Sequence, residues 1–312
     1  DQLDQMYMQG ISLDAAILVY GLKASGRLKA IHRSRELHAE IVKTGVDVDP
    51  YIHTSLISMY SRCDSLAEAS QLFSKELIPS VISWTALISG FVDCGFGEEA
   101  LGCLDRMHSD GIPPEDITLI RSLEACSMIR DIDKGHQIHI QILQFGLEGT
   151  PTVGGALLDM YGNCGPLLEA ESVFDLLPMQ DVIIWTELMF AYVRHMHGDK
   201  ALRCFDQMQM DGISPDTITF NCSLKACVCI QMVEDAQQVD NCHHDAAFLN
   251  YTVQDQHSSN YDAIEKGQEL HIEIVKLGFD MDTYIKNGLL DMYSKCGAFA
   301  DAQKVFSKMP IP

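Results

Sequence analysis

Nine residues, LLDMYGNCG at 157–165, return as LLDMYSKCG at 289–297 and, more loosely, as LISMYSRCD at 56–64. A catalytic loop is needed once, so a phrase written three times marks a structural unit, and its period constrains the fold more than any other feature. Tyr60 and Tyr161 are 101 residues apart, and so are Trp84 and Trp185, and Cys126 and Cys227. The block of 101 divides into similar pieces of 35, 35 and 31 residues, at 81–115, 116–150 and 151–181.

Each piece reads as two helices. In the piece 81–115, Trp84, Leu87, Ile88 and Phe91 recur at i, i+3, i+4 and i+7, an apolar helical stripe. Gly95 interrupts the chain, and Ala100, Cys103, Leu104 and Met107 form a second stripe. Gly111 suits the end of that helix, with Pro113 and Pro114 beyond it. One hairpin of about 35 residues cannot bury both stripes, whereas stacked hairpins can. The period therefore predicts an all-α solenoid, a right-handed superhelix of antiparallel helix pairs without β-sheet. Tyr and Cys of the repeated phrase are expected to pack on the following pair.

With 312 residues, 47% of them apolar, the chain has ample material for a core. No run of about 18 apolar residues suggests a membrane span. Neither a secretory signal nor an Arg/Ser-rich transit segment opens the chain, so any targeting sequence of the parent protein is expected outside it. Of the eleven cysteines, Cys63, Cys164 and Cys296 share one place in the repeat, and Cys126 and Cys227 share another; no C-x-x-C occurs. That pattern predicts small core thiols in a reducing compartment rather than a metal site or disulfides.

These phrases resemble the pentatricopeptide repeat proteins of plants, in the subclass that alternates P, L and S motifs. SWTALISGF with EEALGCLDRM resembles a P motif, SLEACSMIRDIDKGHQIH an L motif, and ALLDMYGNCGPLLEAESVFDLLP an S motif. The array then reads as a partial P (1–14), L (15–49), S (50–80), P (81–115), L (116–150), S (151–181), P (182–216), L (217–282) and S (283–312). The L motif at 217–282 exceeds its counterparts by 31 residues, at about 235–265, a polar insert expected to loop out between the helices of its hairpin. Leu224, Ala226 and Cys227 are expected to pack on one side of that hairpin, and Leu270, Ile274 and Val275 on the other.

The resemblance implies recognition of single-stranded RNA, one base per repeat, by the fifth and last residues of each motif. Those pairs are Thr54 with Ser80, Thr85 with Glu115, Gly155 with Asp181 and Thr186 with Asp216; Asn287 is the fifth residue of the last motif. Thr186 with Asp216 implies guanine, Thr85 with Glu115 is a near match, and Gly155 lacks a polar side chain. Second-position residues, implied to sandwich the base, are Tyr51, Ile82, Thr152, Ile183 and Tyr284. The L motifs offer Val19/Asp49, Ile120/Thr150 and Asn221/Asp282, and two of these fifth residues are aliphatic. The family further implies a mitochondrial or chloroplast protein without catalysis of its own, in RNA processing such as C-to-U editing-site recognition. Editing factors or a deaminase would be supplied in trans or C-terminal to this chain; no cofactor is implied.

The net charge of −22 opposes that reading, because nucleic-acid binders usually carry a basic stripe. RNA binding is compatible with it if acids such as Glu98, Glu99, Glu169 and Glu171 face away from the RNA. The alternative is a helical-repeat scaffold that binds protein. Two features invite an enzyme reading. His38-Ala39-Glu40 and His271-Ile272-Glu273 match the H-x-E of zinc deaminases, but the P-C-x-x-C they require is absent and both sit in one repeated phrase. Cys242, His243, His244 and His257 cluster in the insert at spacings that suit no standard metal site.

Overall fold

The computed structural model describes residues 15–47, 49–76, 78–240 and 262–307. Their sixteen helices pair in chain order, and among the described residues there is no strand. The pairs are α1 (Ala15–Arg27) with α2 (Ile31–Thr44), α3 (Pro50–Arg62) with α4 (Leu66–Phe73), α5 (Val81–Asp93) with α6 (Gly97–Ser109), and α7 (Asp116–Ile129) with α8 (Ile132–Phe145). They continue as α9 (Pro151–Cys164) with α10 (Leu167–Leu176), α11 (Val182–Arg194) with α12 (Gly198–Met210), α13 (Thr217–Asp240) with α14 (Ala263–Lys276), and α15 (Thr283–Lys295) with α16 (Phe299–Ser307).

Sequence chemistry places the helix ends. Asp49, Asp181 and Asp282 stand just before α3, α11 and α15, and each carboxylate accepts two backbone N–H groups of the first turn. Ser80 caps α5 in the same way through Ser83 N–H. A cap satisfies donors that the helix itself leaves open, which accounts for short polar residues at the junctions. Gly95 and Gly111 follow α5 and α6 with φ of +87° and +73°, a conformation that any other residue adopts only under strain.

The chain divides into two units, Asp1–Leu147 and Glu148–Pro312. Within the first, α1 packs on α3, α3 on α5 and α5 on α7, while α2, α4 and α6 each touch both their own first helix and the next. The second unit repeats the scheme with α9, α11, α13 and α15 as the packed first helices. Each unit is a helical-repeat solenoid, whose core lies between successive pairs. Trp84, Leu87, Ile88, Ala100, Cys103, Leu104 and Met107 are buried, and Phe91 is half-buried. Trp84 meets Phe73 and Trp185 meets Phe174 edge-on, at centroid distances of 4.4 and 4.6 Å, one repeat block apart.

Three expectations need correction. Tyr60 and Cys63 pack on the preceding pair, not the following one: the Tyr60 hydroxyl lies 2.9 Å from His38 Nδ1 and Cys63 Sγ lies 3.4 Å from Ser34 Oγ, both on α2. Tyr293 repeats this against His271 of α14 at 2.9 Å. The tyrosine comes eleven residues into its helix, on the face turned to the second helix before it. The stretch 235–265 does not loop out in full, because α13 runs on to Asp240 and α14 begins at Ala263, capped by Asp262. Residues 241–261, with Cys242, His243, His244 and His257, lie outside the described residues. Leu224, Ala226, Cys227, Leu270 and Ile274 are buried, but Val275 is exposed, one residue round the helix from the buried stripe.

Candidate nucleic-acid interface

The second, fifth, ninth and thirteenth residues of a first helix fall on one face. In the first unit these columns line a groove across four helices. Val19, Lys23 and Arg27 come from α1; Tyr51, Thr54, Ser58 and Arg62 from α3; Ile82, Thr85, Ser89 and Asp93 from α5; Ile117 from α7, whose sixth residue, Arg121, also lines the groove. Along α3 the face runs from Tyr51 through the hydroxyls of Thr54 and Ser58 to Arg62; α5 has the same apolar and hydroxyl order but ends on Asp93, and α1 ends on Lys23 and Arg27. Lys23, Arg27 and Arg62 have no carboxylate partner among the described residues, whereas Arg121 bonds Glu124 at 2.8 Å and Asp93 at 3.2 Å. Against a chain of net charge −22, the groove lining carries four cations and one carboxylate.

The second-position residues are exposed in both units: Tyr51 at 77%, Ile82 at 60%, Ile183 at 61% and Tyr284 at 48%, with Thr152 exposed as well. Side chains of this size usually bury themselves, so a repeated row at helix N-termini offers flat apolar faces to a planar partner. Ile117 and Ile218, at the same place in the L-like pieces, are also exposed.

At two junctions the fifth and last residues are brought together through an intermediary. Thr186 Oγ1 lies 2.9 Å from Thr219 Oγ1, which lies 2.9 Å from Asp216 Oδ1, and the same carboxylate oxygen accepts Thr219 N–H at 2.8 Å. Thr54 Oγ1 lies 3.3 Å from Ser83 Oγ, which lies 3.0 Å from Ser80 Oγ. Thr85 Oγ1 lies 2.7 Å from Thr118 Oγ1; Glu115 is exposed and its side chain does not cap α7. Ser83 also donates to Glu76 Oε1 at 2.9 Å, which His53 Nδ1 meets at 2.7 Å. Gly155 brings no polar atom to Asp181, whose carboxylate is taken up by the α11 cap. Asn287 is exposed. Asn221 is buried, with Nδ2 donating to Tyr284 O at 3.0 Å, so its amide is spent on the backbone.

The same columns in the second unit are nearly balanced in charge. Arg194 pairs with Asp159 at 3.1 Å and Lys295 with Asp291 at 3.0 Å, while Arg194 and Lys225 both approach the Phe190 ring, at 5.8 and 5.7 Å. The acids named from sequence lie on second helices. Glu98 and Glu99 occupy the first turn of α6, and Glu171 of α10 accepts from Tyr192 Oη at 2.7 Å and Lys200 Nζ at 3.3 Å. Two features escaped the sequence reading: the unpaired cations at the ends of α1 and α3, and the hydroxyls that link fifth to last residues. Reading the thirteenth residue down the repeats would have found the first.

The remaining chemical candidates are packing groups. His38 and His271 of the H-x-E phrases each meet a tyrosine hydroxyl, and burial pushes the His38 pKa down. No group of three or more metal-ligating side chains occurs among the described residues. Burial pushes Cys103 up to about 11 and Cys227 up to about 12, which keeps them protonated and unreactive at neutral pH. No described helix is long and apolar enough to cross a membrane.

Known proteins match this arrangement of paired helices. The PPR repeat model matches residues 51–75, 82–112, 155–182 and 284–310, and the PPR repeat family model matches 180–229. Two pentatricopeptide repeat-containing proteins of Arabidopsis thaliana are 29% and 32% identical, over 98% and 88% of this chain and 40% and 34% of their own. The chain thus spans two fifths or less of the length of these relatives. Two others, each 29% identical over 93% of this chain, are named as mitochondrial and chloroplastic and are covered over 25% and 29% of their length. Among solved structures, the pentatricopeptide repeat protein PPR10 in complex with an 18-nt psaJ RNA element superposes with a TM-score of 0.64 at 19% identity, over 98% of this chain and 46% of that one. With repeat models matching in both units and relatives aligned along nearly the whole sequence, the chain belongs to the pentatricopeptide repeat family.

Proposed function

We propose that this repeat array binds single-stranded RNA and reads its bases, one per repeat where the fifth residue is polar. The observation that carries this is the first unit's groove: exposed Tyr51, Ile82 and Ile117 stand beside Thr54 and Thr85, and Arg27 and Arg62 give α1 and α3 cationic ends. Stacking on flat side chains, hydrogen bonding to an unstacked base edge and neutralising phosphates are the three tasks of single-strand recognition, and the groove holds a column for each. The RNA complex of the structural neighbour supports the reading.

The motif grammar supports a P-L-S array, and the relatives' names support a mitochondrial or chloroplast setting. We place the chain in organellar RNA processing such as recognition of C-to-U editing sites. Catalysis would come from editing factors or a deaminase acting in trans or C-terminal to this chain. The net charge of −22 favours the second reading, a scaffold for a protein partner.

Binding of single-stranded RNAs that differ at one position separates the two. The expected outcome is a guanine preference at one nucleotide, which Thr186→Asn shifts toward uracil, with about 1–3 kcal/mol at stake by analogy with base-edge contacts elsewhere. Equal affinity for all four bases at every position, in both proteins, refutes base reading. A scaffold would give that result.

A further inference from the structure

The fifth-position threonines follow a rule that neither the fifth nor the last residue contains. Each of Thr54, Thr85 and Thr186 is followed, at the third residue of the next first helix, by a hydroxyl: Ser83, Thr118 and Thr219. Where the fifth residue is Val19, Gly155 or Asn221, the matching place holds Ile52, Ile184 or Ile285. The structure gives the reason, since the two hydroxyls are 3.3, 2.7 and 2.9 Å apart and the third-position residues are buried.

A hydroxyl has one proton and two lone pairs. Thr85 donates its proton to Val81 O of its own helix at 2.8 Å. Thr118, fully buried, then donates to Thr85 Oγ1 at 2.7 Å. One lone pair of Thr85 remains, on a side chain that lines the groove. The last residue of the same motif, Glu115, is exposed, is not used in capping and is acceptor-only when ionised. Two acceptors from one motif suit an edge with two adjacent donors, which among RNA bases is the N1–H and N2–H of guanine. At the second unit's junction Thr186 donates to Val182 O, while Thr219 has one proton for two acceptors, Thr186 Oγ1 and Asp216 Oδ1.

We propose that Thr118, the third residue of the following motif, is a positioning residue for base reading that fixes Thr85 as a hydrogen-bond acceptor for guanine. The proposal rests on the RNA-reading function above and adds a third residue to the pair Thr85 and Glu115. The residue does not touch RNA; it decides which way the hydroxyl of the residue that does is pointed.

The test uses the full chain and single-stranded RNAs in which every position is varied in turn through the four bases. Thr85→Ala identifies the nucleotide read at this junction, as the position where guanine preference is lost. Thr118→Val keeps shape and burial but removes the proton. It should lower guanine discrimination at that nucleotide by about two- to tenfold, the range of one neutral hydrogen bond, and leave other positions as in the parent. Thr118→Ser should restore it. The proposal is overturned if Thr118→Val keeps full discrimination, or if it weakens binding to every base alike together with a lower thermal midpoint, which marks a merely structural residue. A parent protein with no preference at any position overturns the base-reading function as well, so the two failures are distinct.

Discussion

Glu187 lies one residue past Thr186 in α11, half-buried and near Asp159 and Arg194. Burial chiefly, and then Asp159, pushes its carboxyl pKa above the usual range, while Arg194 opposes the shift. A raised folded-state pKa means that the folded protein binds this proton more tightly than the unfolded chain. Stability is therefore lost as pH rises through the window between the unfolded and the folded pKa, and the cost is fully present at neutral pH. Glu187→Gln should raise the thermal midpoint at pH 7, and the gain should vanish below about pH 4, where both states are protonated. Melting curves of both proteins across that range check it, and a gain that persists at pH 3 excludes titration as the cause. The exposure of the second-position row needs only helical periodicity and was readable in advance. The burial of Thr186 and its link to Thr219 were not, because they depend on how closely one first helix approaches the next.

At the scale of elements, the approach of α12 to α13 is set by a glycine. A Cβ on Gly198, the first residue of α12, would stand 2.3 Å from Ala226 O and 2.9 Å from Ile230 Cγ1. Gly97, 101 residues earlier, holds the same place on α6, but its nearest neighbours would be Ile129 Cγ2 at 2.7 Å and Ala125 O at 3.1 Å. A methyl group can swing aside, whereas a carbonyl inside a helix moves only with its backbone. Gly198→Ala should thus destabilise by about 1–3 kcal/mol, the usual penalty of overpacking, and Gly97→Ala by less. The urea midpoints of the two variants give the order directly, and the reverse order would mean that the junctions relax differently. Helix starts and stops were legible because their signals are local, such as Asp49 before Pro50 or Gly111 before Pro113. The six extra residues of α13 carry no such signal: the hairpin turn expected after Glu234 is absent, and nothing in the local sequence stops the helix there.

For the molecule as a whole, net charge and the charge of the groove differ in sign. A net charge of −22 sums every residue, whereas a ligand in the groove meets mainly the first helices. Of the cations there, Arg27 and Arg62 are thirteenth residues, Lys23 a ninth and Arg121 a sixth, while Glu98, Glu99 and Glu171 belong to second helices. At physiological ionic strength exposed charges are screened beyond about 8 Å, so the distant acids slow association more than they oppose contact. The period that made the fold readable hides this, because charge is not part of the repeated phrase and differs between the units. If Lys23, Arg27 and Arg62 each neutralise one phosphate, the logarithm of RNA affinity should fall against the logarithm of salt concentration with a slope near −2, at about −0.7 per phosphate for single strands. Arg62→Gln should make that slope shallower by about 0.7 and weaken binding evenly across sequences, leaving base preference intact. Titrations of both proteins at several salt concentrations decide it. A slope near zero with binding retained would place the RNA elsewhere on the protein, and a loss confined to one sequence would make Arg62 a base contact rather than a phosphate contact.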